Sequence, residues 1–333
     1  MTITTHPKSS TAPEIGSGIM YRDIPICIRS RTTLWFLKLV LKPMMRFMLR
    51  GSTGRIAKVQ LQVATLTCPD SSGLPLNYDI VGNVPGHVIG SLDDTSRPVV
   101  LWLHGGSFLL PAAPNMHMVM VAKICKQLGA DSFLPDYRLA PQAQFPAGLN
   151  DCESAYRALL ELGYPASKII LGGDSAGGNL ALGLLQRIRK AELAMPVCTI
   201  AVSPVTEMGR IHSPPSRPNL AKKDPLLPIS ALPRVAELYA GSWDTADPEL
   251  SPLYMDCTGL TPIYFLTSDN EILMDDTVML AQRMIKAGVN TTCQIWPTLP
   301  HAFPLFEAQL REGAHARKDI TNFAQQQLDS AKS

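Results

Sequence analysis

The chain has 333 residues, of which 46% are hydrophobic and 17% charged, a composition that excludes a disordered polymer and allows a large buried core. A formal net charge of +2 gives no electrostatic footprint for nucleic acid, so no such partner is expected. Seven scattered cysteines contain no Cys-x-x-Cys pair and cannot all pair internally. A reducing, cytoplasmic setting without a zinc site is the simpler expectation.

Residues 1–18 are polar, rich in Ser, Thr and Pro, and lack the apolar centre of a signal peptide. They read as a partly ordered arm. Between Leu34 and Leu49 the pattern is an apolar helix with Lys38, Lys42 and Arg46 at four-residue spacing and a kink expected at Pro43. Three charges in so short a run argue against a transmembrane span. Two readings remain, a lid over an apolar pocket and a helix lying on a membrane surface as a peripheral contact. The lid is favoured.

Alternating strands are expected over 59–66 and 76–81, and a continuous apolar strand over 99–103. Helices over 116–128 and 149–162 then alternate with strands over 132–135 and 168–171. Further strands are expected over 198–202, 262–267 and 292–296, with a helix over 277–287. Apolar strands alternating with helices predict an α/β fold with a mostly parallel sheet covered on both faces. Between 206 and 252 this rhythm breaks into a proline-rich stretch with a short helix over 231–240. The expected division is an arm with cap helices over 1–50, a catalytic core over 51–205 and 253–333, and a second cap segment over 206–252.

The sharpest local signal is Gly173-Asp174-Ser175-Ala176-Gly177, set between a buried strand and a helix. Such a turn presents the serine hydroxyl on a strained backbone, and a Cβ at Gly173 or Gly177 would crowd the neighbouring elements. His104-Gly105-Gly106-Ser107 follows the strand over 99–103 directly. Acyl transfer builds negative charge on a carbonyl oxygen, and losing one backbone donor aimed at it typically costs roughly 3–4 kcal/mol of barrier. The expected donors are the amides of Gly105, Gly106 and Ala176. His301, just past the last strand, suits a general base. An acid must orient it, and composition leaves Asp269, Glu271, Asp275 and Asp276 open. His104 is expected to fix its loop and Asp174 to support the turn.

With these motifs in this order, the chain resembles the hormone-sensitive-lipase-like group of α/β-hydrolases, the bacterial family IV type of carboxylesterase. The match covers most of the chain. It also includes Asp136-Tyr137-Arg138-Leu139-Ala140-Pro141 and Ser251-Pro252-Leu253-Tyr254. The resemblance implies an eight-stranded sheet under a helical cap, no cofactor, and hydrolysis of short- or medium-chain acyl esters by Ser175. The family's acid stands thirty residues before its histidine, which selects Glu271, a Glu where Asp is usual, with Asp275 the main rival. It further implies a structural ion pair between Asp136 and Arg138. The chain is also similar to fungal esterases that remove short acyl groups from natural products, such as versiconal hemiacetal acetate esterases. Alternatives on the same motifs are an acyltransferase and a non-catalytic small-molecule receptor. If the cap covers the site, Trp35, Phe36, Met44, Met45, Phe47 and Met48 would make an adaptable apolar pocket. A homodimer is left open.

Overall fold

The computed structural model describes residues 18–210 and 212–332, so the arm expected at the N-terminus lies, apart from Gly18, outside the described residues. The chain opens with β1 (Gly18–Tyr21), then α1 (Ile28–Phe36), a wide π turn (Leu37–Leu41), α2 (Lys42–Leu49) and α3 (Thr53–Ala64). Strands β2 (Leu76–Val81), β3 (Val84–Ile89) and β4 (Val99–Leu103) lead through α4 (Val119–Leu128) to β5 (Asp131–Pro135). Next come α5 (Ala147–Glu161), β6 (Ile169–Asp174), α6 (Ala176–Lys190) and β7 (Cys198–Val202). Two short helices, α7 (Ser216–Leu220) and α8 (Leu232–Ala240), interrupt the alternation. It resumes with β8 (Ile263–Ser268), α9 (Met274–Lys286), β9 (Thr291–Trp296) and α10 (Arg311–Ser330).

Among the described residues nine strands form one sheet in the order β1-β9-β8-β7-β6-β4-β5-β3-β2. Only the β2–β3 and β3–β5 pairs are antiparallel. Alternation along β4 shows how both faces are covered. Val99, Leu101 and Leu103 pack with α5 and α6, whereas Val100 and Trp102 pack with α4 and α10.

Two local expectations fail. Of the period-2 pattern over 59–66, residues 59–64 are the second half of helix α3, capped by the Ser52 side chain and anchored by buried Ile56. Its alternating apolar residues were not a buried sheet face, since Leu61 is 70% exposed. Two of the nine strands were not expected: β1, four residues that add in parallel to the β9 edge and are too short to show a period, and β3, which pairs antiparallel with both β2 and β5. The π turn, closed by Lys42 N–H on Leu37 O, runs directly into α2 at Pro43, which has no N–H to continue the bonding.

Strands β5 and β6 lie on opposite sides of β4, so the connections diverge beyond the carboxyl ends of β4 and β6. Crevices of open α/β sheets form at such points. His104 and Ser175 follow those two strands.

Candidate active site

Ser175 has φ 54° and ψ −117°, a conformation that L residues rarely adopt. Its N–H donates to Val202 O at 2.8 Å, and its carbonyl accepts from Asn179 N–H at 3.1 Å. A Cβ on Gly173 would meet the Leu103 carbonyl at 2.8 Å, and one on Gly177 the His104 carbonyl at 2.6 Å. Both glycines are therefore required by close packing of the turn against β4. The side chain of Asn179 donates to Val205 O and Leu250 O, both at 2.9 Å, and ties the helix start to the loop beyond β7.

The four carboxylates that composition left open separate cleanly. Glu271 Oε2 lies 2.5 Å from His301 Nδ1. Its other oxygen accepts from Ser203 Oγ (2.7 Å), Thr267 Oγ1 (2.5 Å) and the Ser268 amide (2.9 Å). Asp275 instead receives the Ser216 amide, Asp276 pairs with Arg217, and Asp269 receives the Thr298 amide. Burial disfavours a charged imidazole at His301. The charge and hydrogen bond of Glu271 nevertheless raise the ring above its ordinary value of 6.5, helped by Asp224 and Asp174. His301 Nε2 is buried and makes no hydrogen bond, to Ser175 or any other group, among the described residues. Ser203 links the two halves of the site. It follows Val202, which holds Ser175, and its Oγ also accepts the Ala302 amide at 3.2 Å.

The glycine loop requires one correction. Gly105 N–H, expected as a donor to substrate, is committed to Asp174 Oδ2 at 3.1 Å. A Cβ there would also run into Asp174 and Ser175. The N–H groups of Gly106, Ser107 and Ala176 make no hydrogen bond among the described residues. Ser107 and Ala176 line the same pocket as Ser175. Ser107, on a backbone with φ 58°, thus presents an unbonded N–H beside Ser175 where Gly105 does not.

Asp174 is the buried hub of this loop. Besides Gly105 it accepts Trp102 Nε1 at 3.0 Å and faces His117 Nε2 at 3.3 Å. Burial alone would raise its carboxyl, yet these partners and the nearby imidazoles hold it below the usual value. His117 Nδ1 accepts the Ala113 amide, which leaves its Nε2–H to donate to Asp174. His104 stacks on Tyr137 with ring centroids 4.3 Å apart, and Tyr137 Oη donates to His104 O at 2.6 Å. Burial and the neighbouring His117 push His104 down to about 4, so it is a neutral loop anchor. His117, Ser203 and Thr267 carried no sequence signal. A His on an apolar helix and hydroxyls near strand ends read as ordinary core.

The pocket above Ser175 is walled by Phe108, Val205, Leu227, Val235 and Leu49. Of the described residues up to Arg50, only Leu49 lines it. Trp35, Phe36, Met44 and Phe47, expected as pocket groups, are exposed on the opposite face of their helices, and neither Met45 nor Met48 lines the pocket. The expected Asp136–Arg138 pair is likewise not formed. Arg138 grips Asp151 through Nε and Nη2, and Asp136 accepts Tyr78 Oη at 2.8 Å. Among the described residues no cluster of His, Cys, Asp and Glu could hold a metal, and no helix is long and apolar enough to cross a membrane.

Comparison with known proteins agrees with the fold. A family model described as alpha/beta hydrolase fold matches residues 100–305. An acetyl-hydrolase of Streptomyces hygroscopicus is 35% identical over 65% of this chain and 72% of its own length. The esterase LipU of Mycobacterium tuberculosis is 33% identical over 69% of this chain and 78% of its own. The crystal structure of an esterase from the bacterial hormone-sensitive lipase family superposes with a TM-score of 0.80 at 29% identity, covering 92% of this chain and all of the other (100%).

Proposed function

Because the chain belongs to the α/β-hydrolase family, within its hormone-sensitive-lipase-like carboxylesterases, we propose that Ser175, His301 and Glu271 cleave short- to medium-chain acyl esters through an acyl-enzyme. Ser175 Oγ attacks the ester carbonyl carbon while its proton passes to His301 Nε2. Glu271 holds Nδ1–H and stabilises the imidazolium. The carbonyl oxygen becomes an oxyanion facing the N–H groups of Gly106, Ser107 and Ala176. The C–O bond to the alcohol then breaks, and the alcohol leaves with the proton from His301. Water repeats the sequence on the acyl-enzyme, and the carboxylic acid is released as Ser175 regains its proton.

The observation that carries this reading is the buried Glu271–His301 pair, whose outer ring nitrogen has no other partner. A buried nitrogen left unbonded costs free energy unless a substrate-bound state satisfies it. The apolar walls, closed by Phe108 stacked on Tyr239 at 3.7 Å, support a short acyl group. So does the relative named as an acetyl-hydrolase. A natural-product acetate is a candidate within that class, on the likeness to fungal esterases. The unpaired cysteines support a reducing, cytoplasmic compartment.

Turnover of p-nitrophenyl acetate by Ser175→Ala, with labelling by a fluorophosphonate probe, is the direct test. Activity should fall about 10⁴-fold or more and labelling should disappear. A variant that keeps wild-type turnover ends the proposal. Rates along a series from acetate to palmitate should peak among the short and medium chains, and a peak at palmitate would reject the acyl-length part alone.

A further inference from the structure

The outward face of the cap helices has the wrong character for water. Trp35, Phe36, Leu39, Val40, Met44 and Phe47 are all exposed, with Trp35 at 67% and Phe47 at 65%. They follow one another at the spacing of a single stripe through α1, the π turn and α2. The opposite stripe, with Leu34, Leu37 and Leu49, is buried against the body. A surface helix ordinarily turns polar groups outward, and a contiguous exposed apolar stripe marks a contact surface.

Charge identifies the partner. From Ile24 to Pro69 the chain carries eight Lys and Arg residues and no Asp or Glu. The rest then holds 22 cations against 28 carboxylates, a formal −6 opposite a formal +8. None of the eight forms an ion pair among the described residues. Lys42 turns inward to the carbonyls of Ala221 and Asp224, at 2.9 and 2.7 Å. Lys38 and Arg46 stay exposed beside the apolar stripe, and Arg55 lies over the Phe47 ring at 4.0 Å.

We propose that this face docks on an anionic lipid surface, with the apolar stripe entering the headgroup boundary and the flanking cations meeting lipid phosphates. A second copy is the less favoured occupant. A two-fold interface sets the same patch against itself, so it would place cations on cations with no carboxylate to pair them. The charge asymmetry also orients the molecule, cap towards the membrane and acidic body away from it. Because Leu49 on the inner side of the same helix lines the pocket, docking would bring that pocket within one helix thickness of the lipid. The inference does not depend on the ester chemistry.

The full chain is pelleted with vesicles of phosphatidylcholine alone and of phosphatidylcholine mixed with phosphatidylglycerol, at low and high salt. Binding is expected to the anionic vesicles only and to weaken with salt. Lys38→Glu with Arg46→Glu should lower the partition coefficient about 30-fold or more, and Trp35→Ser with Phe36→Ser should lower it comparably. None of these residues lines the pocket, so hydrolysis of soluble p-nitrophenyl acetate serves as the folding control. If either double variant is poorly folded, Trp fluorescence of the native chain decides, since brominated lipid should quench exposed Trp35. The proposal is overturned by absence of pelleting at low salt, by equal binding to pure phosphatidylcholine, by binding that both variants retain, or by unquenched fluorescence. Concentration-dependent dimerisation abolished by the same substitutions would overturn it in favour of a second copy.

Discussion

The turn at Ser175 and the helices α1–α3 reach the same pocket, one through Ala176 and the other through Leu49, yet they are held in place by different means. Around Ser175 backbone packs on backbone, with glycines that admit no Cβ and buried side chains that hold main-chain groups. Helices α1–α3 rest instead on apolar contacts and on scattered side-chain bonds, from Arg29 and Ser30 to Ala308 and Glu312, from Lys42 to the Ala221 and Asp224 carbonyls, and from Gln60 to the Leu109 and Ala140 carbonyls. Rigid placement of a nucleophile needs the first kind of construction. A surface that must admit substrate, or meet a membrane, tolerates the second.

The largest effect that would break this contrast lies at the acid. Glu271→Gln should lower kcat about 10⁴-fold, because the amide cannot hold the reactive tautomer or offset the imidazolium charge. Asp275→Asn should stay within about 3-fold of the parent, since Asp275 only receives the Ser216 amide, which an amide oxygen can also accept. Kinetics on p-nitrophenyl butyrate check both. A dead Asp275→Asn beside an active Glu271→Gln would reverse the assignment.

Two glycines sharpen the contrast in stability. Gly177→Ala forces a Cβ into the Leu103 and His104 carbonyls and should cost about 3 kcal/mol. Gly54, in the first turn of α3, has nothing within 4 Å of an added Cβ. Gly54→Ala should therefore stabilise slightly, by at most about 1 kcal/mol. Urea melts of the two variants give the comparison, and similar effects at both positions would erase the distinction between the regions.

The same distinction explains what was legible in the sequence. Gly173, Ser175, Gly177 and His301 could be read because each is dictated by a local backbone demand or by chain order. The acid could not be chosen from composition, because four carboxylates cluster after β8. Only the family spacing pointed to Glu271, and the fold then places Asp275 and Asp276 on α9, bonded to the α7 segment. Gly105 was misjudged because the direction of an N–H depends on Asp174, a contact 69 residues away in the chain. Helices α1–α3 were least legible. Val59 to Leu66 alternates like a strand, and only packing of Ile56 and the bonds from Gln60 make it helical. Trp35 and Phe47 carry no mark that tells a pocket wall from an outer surface.

Titration separates the buried pair from the rest. A neutral His301 is needed to accept the serine proton, so kcat/KM should rise with pH along a limb centred above the ordinary 6.5. In Glu271→Gln the carboxylate that raises the ring is gone while burial remains, so the limb of the residual activity should fall below 6.5. Stability runs the other way. A raised histidine stabilises the fold fully below its unfolded value of 6.5 and loses that contribution as pH rises through the folded value. Turnover and melting temperature should therefore move in opposite directions across this window, and parallel movement would remove His301 as the controlling group.

The smallest effect tests whether the cap is a separate layer at all. Lys42→Met removes the donors to the Ala221 and Asp224 carbonyls and should cost about 1 kcal/mol of local stability, read as faster hydrogen exchange in α7. Asp224 also holds, through its buried carboxylate, the amides of Leu226, Leu227 and Ile272, and Ile272 adjoins Glu271. If the cap only shapes the pocket, KM for p-nitrophenyl butyrate should rise about 5-fold with kcat unchanged. A fall in kcat and a shifted pH limb would instead show the disturbance passing from Lys42 through Asp224 to Glu271. The two regions would then be one mechanical unit, and a membrane-docked helix would have a direct route to the chemistry beneath it.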